Sequence, residues 1–346
     1  MEIIVPAAGL STRFPNMRPK FTLTDYKGMM MFERAIEYYI GKYNVTIGIL
    51  KEHDIKYNIA NYIKNTYDSL VNVVILDELT TGPAHTVYEI LKKANISDDK
   101  EFFIKDCDSF FDHIPTEGNY VCTSSITEHE VLKRLASKSF VVSNDQGIIN
   151  GIIEKKVVSD KFCVGGYKFD RVGLFKETFK KLQSKNLPEL FVSHIIQDCL
   201  HENHIFLEKP ITNYVDVGTA QDWFEYNNRP VFFCDIDGTI FKYRKFETYE
   251  TSSVDVLPEV KEKLESWRKE GHMVILTTAR PDYLYDHTVK ELQENGIMYD
   301  RLITGIERGP RILINDMDPN KPGQRAFGVN LNRNEGFQGI DWSNYI

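Results

Sequence analysis

Two short segments of this chain carry residue types suited to phosphate chemistry. Near the start, Ala8-Gly9-Leu10-Ser11-Thr12-Arg13 follows an apolar run over 3–7, with Pro19-Lys20 close behind. Small residues let backbone N–H groups approach phosphate oxygens, and Arg13 with Lys20 supplies positive charge. Far downstream, Asp235-Ile236-Asp237-Gly238-Thr239 follows the apolar run 231–234. Two carboxylates spaced by two at a strand tip fall on one side of the chain. The first pattern suits the building of an activated nucleotide conjugate. The second suits the removal of a phosphate.

Such residues need sheets and helices to position them. The 346 residues exceed what one core usually serves, so two domains are expected. Runs at 3–7, 45–50, 71–76 and 101–104 are short and bounded by polar or turn residues, as buried strands are. Between them 31–39, 57–67 and 84–93 carry apolar residues at helical spacing. Segments 140–142, 147–153 and 163–169 look extended and joined by turns, which makes the sheet mixed. Asn227-Asn228-Arg229-Pro230 is the linker candidate, after which alternation restarts. Strands are expected at 231–234, 273–277, 311–314 and 326–331, and helices at 259–267 and 283–294. The fold class is α/β with two domains, residues 1–228 and 229–346.

The N-terminal loop belongs to an ordered series. It comprises Gly9 to Arg13, Pro19-Lys20, Cys107-Asp108, Glu154-Lys155, Gly165-Gly166-Tyr167-Lys168-Phe169 and Val215-Asp216-Val217-Gly218-Thr219. In this order the chain resembles the sugar-phosphate nucleotidyltransferases over roughly residues 1–226, with Ser11 where many members have Gly. The resemblance implies a Rossmann-like mixed-sheet nucleotidyltransferase fold. It also implies in-line attack of a substrate phosphate oxygen on the α-phosphorus of a nucleoside triphosphate. Ala8, Gly9, Ser11 and Thr12 would then cradle the nucleotide, Arg13 would hold the β- and γ-phosphates, and Lys20 the α-phosphate. Asp108 and Asp216 would hold Mg²⁺, a hard cation that prefers oxygen ligands. Glu154, Lys155 and Gly166 would meet the acceptor. Gly82 and Pro83 stand where this family reads the base, and Pro83 equally suits a plain helix start.

The C-terminal pattern resembles the first motif of haloacid-dehalogenase-type phosphotransferases, from about residue 231 to 332. That resemblance implies a capless Rossmannoid fold, because only 241–257 separates the motif from the next expected helix. It makes Asp235 the nucleophile and Asp237 the general acid/base. Thr278, ahead of Thr277, would hold the transferring phosphoryl group. Asp316 would complete an Mg²⁺ site with Asp235 and Asp237, assisted by Asp318. Arg311 or Arg308 stands where the family usually carries a lysine.

The remaining features narrow the function. A net charge of −8 argues against a nucleic-acid partner. No apolar run approaches the ~18 residues of a membrane span. Five scattered cysteines fit a cytoplasmic protein without structural zinc. The expected partners are a triphosphate, CTP ahead of UTP, and a small phosphorylated sugar, polyol or similar acceptor. Similarity to enzymes of capsular and surface-polysaccharide biosynthesis places both reactions in one pathway. An open phosphatase site leaves closure to the other domain or to a second subunit of a homo-oligomer. Two alternatives stand beside this: a phosphatase with a regulatory nucleotide-sugar-binding domain, and a transferase with a non-catalytic scaffold at its C-terminal end.

Overall fold

The computed structural model describes residues 1–128, 137–185, 189–316 and 324–345. It separates into two compact units, Met1–Asn227 and Asn228–Ile346. In the first, β1 (Glu2–Pro6), β2 (Asn44–Leu50), β3 (Val71–Leu76) and β4 (Phe102–Lys105) run parallel in the order β3-β2-β1-β4. Their continuous apolar runs suit strands covered on both faces. Ile4 packs with Leu76, Val87 and Phe175 on one face. Ile3 and Val5 pack with Phe32, Ile47 and Phe103 on the other.

Helices α1 (Met31–Ile36), α2 (Lys51–Tyr57), α3 (Ile59–Tyr67) and α4 (Pro83–Lys93) connect these strands. The helix expected over 57–67 is interrupted at Asn58, whose φ of 52° ends α2 and opens α3. Asparagine enters this left-handed region more readily than most residues.

The rest of the sheet is mixed, as the sequence implies. It uses β5 (Ser109–Phe110), β6 (Tyr120–Ser125), β7 (Ser139–Ser143), β8 (Ile149–Glu154) and β9 (Lys161–Phe169). Of these, β9 is antiparallel to β4 and β6, β7 pairs with β8 and β9, and β5 stands off the main sheet. Helices α5 (Val172–Gln183) and α6 (Val192–His201) follow, then β10 (Leu207–Pro210), β11 (Val215–Asp216) and α7 (Ala220–Asn227). Strand β10 extends the main sheet beside β6, and β11 pairs antiparallel with β5. The chain leaves β1 for β2 on one side, while β4 lies on the other. Ligands of open α/β sheets gather at such a reversal, beyond the carboxyl ends of the strands.

The second unit has β12 (Val231–Asp235), α8 (Val260–Lys269), β13 (Met273–Thr277), α9 (Tyr285–Glu294) and β14 (Arg301–Ile303). The strands are parallel in the order β12-β13-β14. Phe232 stacks on Trp267 with ring centroids 3.7 Å apart, beside Leu264, Leu276 and Leu292 in the core.

The expectation of strands at 311–314 and 326–331 is corrected here, since neither segment forms one. The first run follows Pro310, and the Arg311 guanidinium turns back onto the carbonyls of Glu307 and Gly309 at 3.0 and 2.7 Å. Ile312 and Ile314 are left largely exposed. Among the described residues, the third strand is β14 instead.

Candidate active sites

The loop after β1 is shaped by Ser11, which adopts φ 55° where glycine is the usual choice. Its carbonyl accepts the Phe14 N–H at 2.8 Å, and its hydroxyl accepts the Lys20 N–H at 2.9 Å. A short turn, Lys20–Thr22, then aims the Lys20 ammonium at Asp108, with Nζ to Oδ2 at 2.5 Å. Arg13 Nη2 lies 3.5 Å from the same oxygen. Burial alone would push Asp108 up, but Lys20 and Arg13 outweigh it and hold the carboxyl well below the usual range.

Asp108 sits in the turn between β4 and β5, and Lys105 fixes that turn. Its side chain is fully buried, with Nζ 4.2 Å from the Phe111 ring centre. It donates to the Asp106 carbonyl at 3.0 Å and the Ser109 hydroxyl at 3.1 Å. Burial pushes the Lys105 ammonium down and the Asp106 carboxyl up.

The pairing of β11 with β5 sets Asp216 opposite Ser109, and the Val217 N–H donates to the Asp108 carbonyl at 3.0 Å. Two carboxylates remote in sequence thereby become neighbours. A Cβ added to Gly218 would lie 3.0 Å from Asp216 Oδ1, and 3.3 Å from both Asp108 Oδ2 and Arg13 Nη1. The missing side chain leaves a cradle between two carboxylates and a guanidinium. That donor set suits a hard divalent cation such as Mg²⁺ carrying phosphate oxygens.

These groups face one cleft of about 650 Å³, lined by Gly9, Ser11, Thr12, Arg13, Lys20, Gly82, Pro83, Asp108, Glu154, Lys155 and Asp216, with other residues between them. Glu154 accepts from the Ser193 hydroxyl at 2.6 Å and from Ser139. Lys155 lies 4.1 Å from the Phe191 ring centre and 3.6 Å from Glu189. Pro83 opens α4, and a Cβ on Gly82 would come within 2.9 Å of the Leu190 backbone. Both features serve the helix start while the pair still borders the cleft.

Two expected residues stand apart from it. Ala8 is buried beneath the loop. Gly166 faces inward, where a Cβ would meet Phe111, Cys122 and Phe103 within 2.9 Å. Its backbone lets three side chains close over it, so it does not line the space for an acceptor.

In the second unit, register places Asp235 beside Thr277 at the carboxyl ends of β12 and β13. Desolvation, then repulsion from Asp237, pushes the Asp235 carboxyl up to about 6, against attraction from Arg311 and Arg280. Thr278 is buried and its hydroxyl lies 3.3 Å from Asp237 Oδ2, whereas the Thr277 hydroxyl turns to the Cys234 carbonyl at 3.4 Å. Thr278 therefore faces Asp237. Arg308 stacks over Phe246 at 5.5 Å, so of the two candidate arginines it is Arg311 that acts on Asp235, together with Arg280. Asp316 pairs with Arg325 at 3.3 Å and is largely exposed. The expected gathering of Asp316 with Asp235 and Asp237 is corrected accordingly. Among the described residues no three His, Cys, Asp or Glu side chains gather as a metal site. Asp318 lies outside the described residues.

Sequence reading missed the buried network behind Asp237. Arg280 donates to both Asp237 oxygens, at 2.9 and 2.7 Å, and to Glu291 Oε2 at 2.6 Å. Arg244 holds Glu291 from the far side at 2.8 Å, and both guanidiniums lie over the Tyr249 ring, at 5.4 and 4.6 Å. The only available signal was Arg280 closing Thr277-Thr278-Ala279. Removing one partner of a buried ion network strands the others without compensation. Arg280→Met should therefore cost the second unit about 3–5 kcal/mol, read by urea unfolding of the full chain. An unchanged midpoint would show that the network carries no stability.

Residues 232–303 match the family model of haloacid dehalogenase-like hydrolases. No curated protein matches the sequence. Among solved structures, the chain is similar to a nucleoside-diphosphate-sugar pyrophosphorylase from Vibrio cholerae RC9, at 17% identity and a TM-score of 0.57. That match covers 66% of this chain and 100% of that one. It is similar to an inositol-1-phosphate CTP transferase from T. maritima at 14% identity and a TM-score of 0.51, over 64% of this chain and 90% of that one. A third likeness is to a Bacillus anthracis structure described as a glucose-1-phosphate thymidylyltransferase, at 15% identity and a TM-score of 0.52, over 65% and 93% of the two chains. At these identities the likeness is one of fold. The chain thus shares the fold of these nucleotidyltransferase structures over about two thirds of its length, and residues 232–303 match the haloacid dehalogenase-like hydrolase model.

Proposed function

We propose that this chain is a bifunctional enzyme that makes an activated small molecule and removes a phosphate in the same pathway. The observation that carries the first activity is the meeting of Asp108 and Asp216 beside Arg13 and Lys20, in a cleft that also holds Glu154 and Lys155. In this reading an acceptor phosphate oxygen attacks the α-phosphorus of a nucleoside triphosphate. The bond to the β-phosphate oxygen breaks, and pyrophosphate leaves with the electron pair. Asp108 and Asp216 would hold Mg²⁺, which would supply charge neutralisation there. Arg13 offsets the charge on the leaving pyrophosphate, and Lys20 steadies the α-phosphate. Glu154, held by Ser193, accepts hydrogen bonds from acceptor hydroxyls, and Lys155 meets the acceptor phosphate.

In the second unit Asp235 attacks a phosphate monoester and forms an aspartyl-phosphate. For Asp237 to deliver a proton to the departing alcohol and later take one from water, one of its two oxygens must first be released by Arg280. Thr278 and Arg311 face the phosphoryl group. The present position of Asp316 favours one second reading, in which this unit is a non-catalytic scaffold.

CTP is the favoured donor and UTP the next. The acceptor is a phosphorylated sugar, polyol or similar molecule of surface-polysaccharide synthesis, handled in the cytoplasm. Incubation with Mg²⁺, each triphosphate and a panel of such phosphates tests this by pyrophosphate release. No pyrophosphate from any combination would reject the transferase.

Asp235 gives the hydrolase a pH signature. In the metal-free protein, burial and the neighbouring Asp237 hold the Asp235 carboxyl up at about 6. The folded value lies above the unfolded one near 3.9, so the folded state binds the extra proton between them. Stability from this group is accordingly lost as pH rises from about 4 to about 6. Asp235→Asn should remove that loss in melting curves taken across the window.

A further inference from the structure

Lys138 is a residue that the sequence motifs do not mark. It enters β7 one residue before Ser139, and its ammonium sits 2.5 Å from Asp216 Oδ2 and 2.6 Å from the Tyr214 hydroxyl. The side chain is mostly buried, beside the Phe162 and Tyr214 rings. Lys20 stands on Asp108 in the same way, at 2.5 Å. Each carboxylate of the cradle thus carries its own ammonium, with the Arg13 guanidinium beside Asp108 as a third positive charge. The main chain of Lys138 also accepts the Lys155 N–H at 3.0 Å, which ties it to the acceptor side of the cleft.

A divalent cation bound to Asp216 would meet this ammonium at a distance where like charges repel strongly in a partly buried site. Both cannot keep the same carboxylate at full strength. Beside Arg13 and Lys20, the displaced ammonium has phosphate oxygens as its natural next partner.

We propose that Lys138 is an internal cation that occupies Asp216 until metal and nucleotide arrive, then moves from the carboxylate to a phosphate oxygen. This inference rests on the transferase reading of the cleft. It makes Lys138 a competitor of the metal in the empty protein and a phosphate ligand in the loaded one. Removing it should tighten metal binding and slow the reaction together. A merely structural lysine would weaken both.

The test is Mn²⁺ binding to the full chain without nucleotide, followed by electron paramagnetic resonance and restricted to the site that Asp108→Asn removes. Lys138→Met should bind Mn²⁺ at least tenfold more tightly, while Lys138→Arg, which keeps the charge, stays near wild type. Pyrophosphate release by Lys138→Met at saturating metal should fall about a hundredfold. Circular dichroism melting identifies the folded variants. Unchanged or weaker Mn²⁺ binding in folded Lys138→Met overturns the proposal, as does equal tightening by Lys138→Arg. Wild-type protein that binds Mn²⁺ at this site yet releases no pyrophosphate rejects the transferase reading instead, so the two failures are distinct.

Discussion

Asp235→Asn is expected to abolish phosphate release, by at least about 10⁴-fold, while pyrophosphate release continues at the wild-type rate. The size of the effect follows from the role. An amide in place of the carboxylate cannot form the aspartyl-phosphate, and no neighbouring side chain replaces it. Asp237 is clasped at both oxygens by Arg280, so it is not free to turn and attack. The two products, orthophosphate and pyrophosphate, are separable by ³¹P NMR in one tube. Residual hydrolysis within tenfold of wild type would support the scaffold reading, in which the phosphate came from elsewhere. Joint loss of both products would mean that the two sites act as one.

The converse pair is Asp108→Asn and Asp216→Asn. Either should lower pyrophosphate release by roughly 10³-fold or more, because metal charge stabilises the developing charge by several kcal/mol. Hydrolysis of a phosphate monoester should be untouched. The two substitutions differ in what they strand. Asp108→Asn leaves Lys20 and Arg13 without their shared carboxylate, whereas Asp216→Asn leaves Lys138 with the Tyr214 hydroxyl and the Phe162 and Tyr214 rings. Neither loss should be rescued by more triphosphate. If raising the triphosphate restored the rate, the carboxylates would be serving binding alone.

Much of this arrangement was legible in the sequence because strand tips announce themselves. Runs such as 71–76 and 273–277 coincide with β3 and β13, being apolar, short and bounded by turn residues. The ordered motifs also placed Arg13, Lys20, Glu154 and Asp216 on one cleft although hundreds of residues separate the ends of the series. What stayed hidden depends on tertiary closure. Lys105, Lys138 and Arg280 look like ordinary surface charges in a linear string, and only packing shows them buried against carbonyls or carboxylates. Gly166 illustrates the opposite error. Its motif suggested an acceptor contact, but three side chains fill the space where its Cβ would stand. The run 311–314 has a strand's composition without a strand's partner, and periodicity cannot supply the partner.

A crystal structure of the full chain with Mn²⁺ and a non-hydrolysable triphosphate examines the cleft itself. Anomalous scattering should place a manganese ion between Asp108 and Asp216, touching a phosphate oxygen, with Arg13 on the outer phosphates. A bound triphosphate whose metal avoids both carboxylates, or carboxylates that still grip Lys20 and Lys138, would contradict the account.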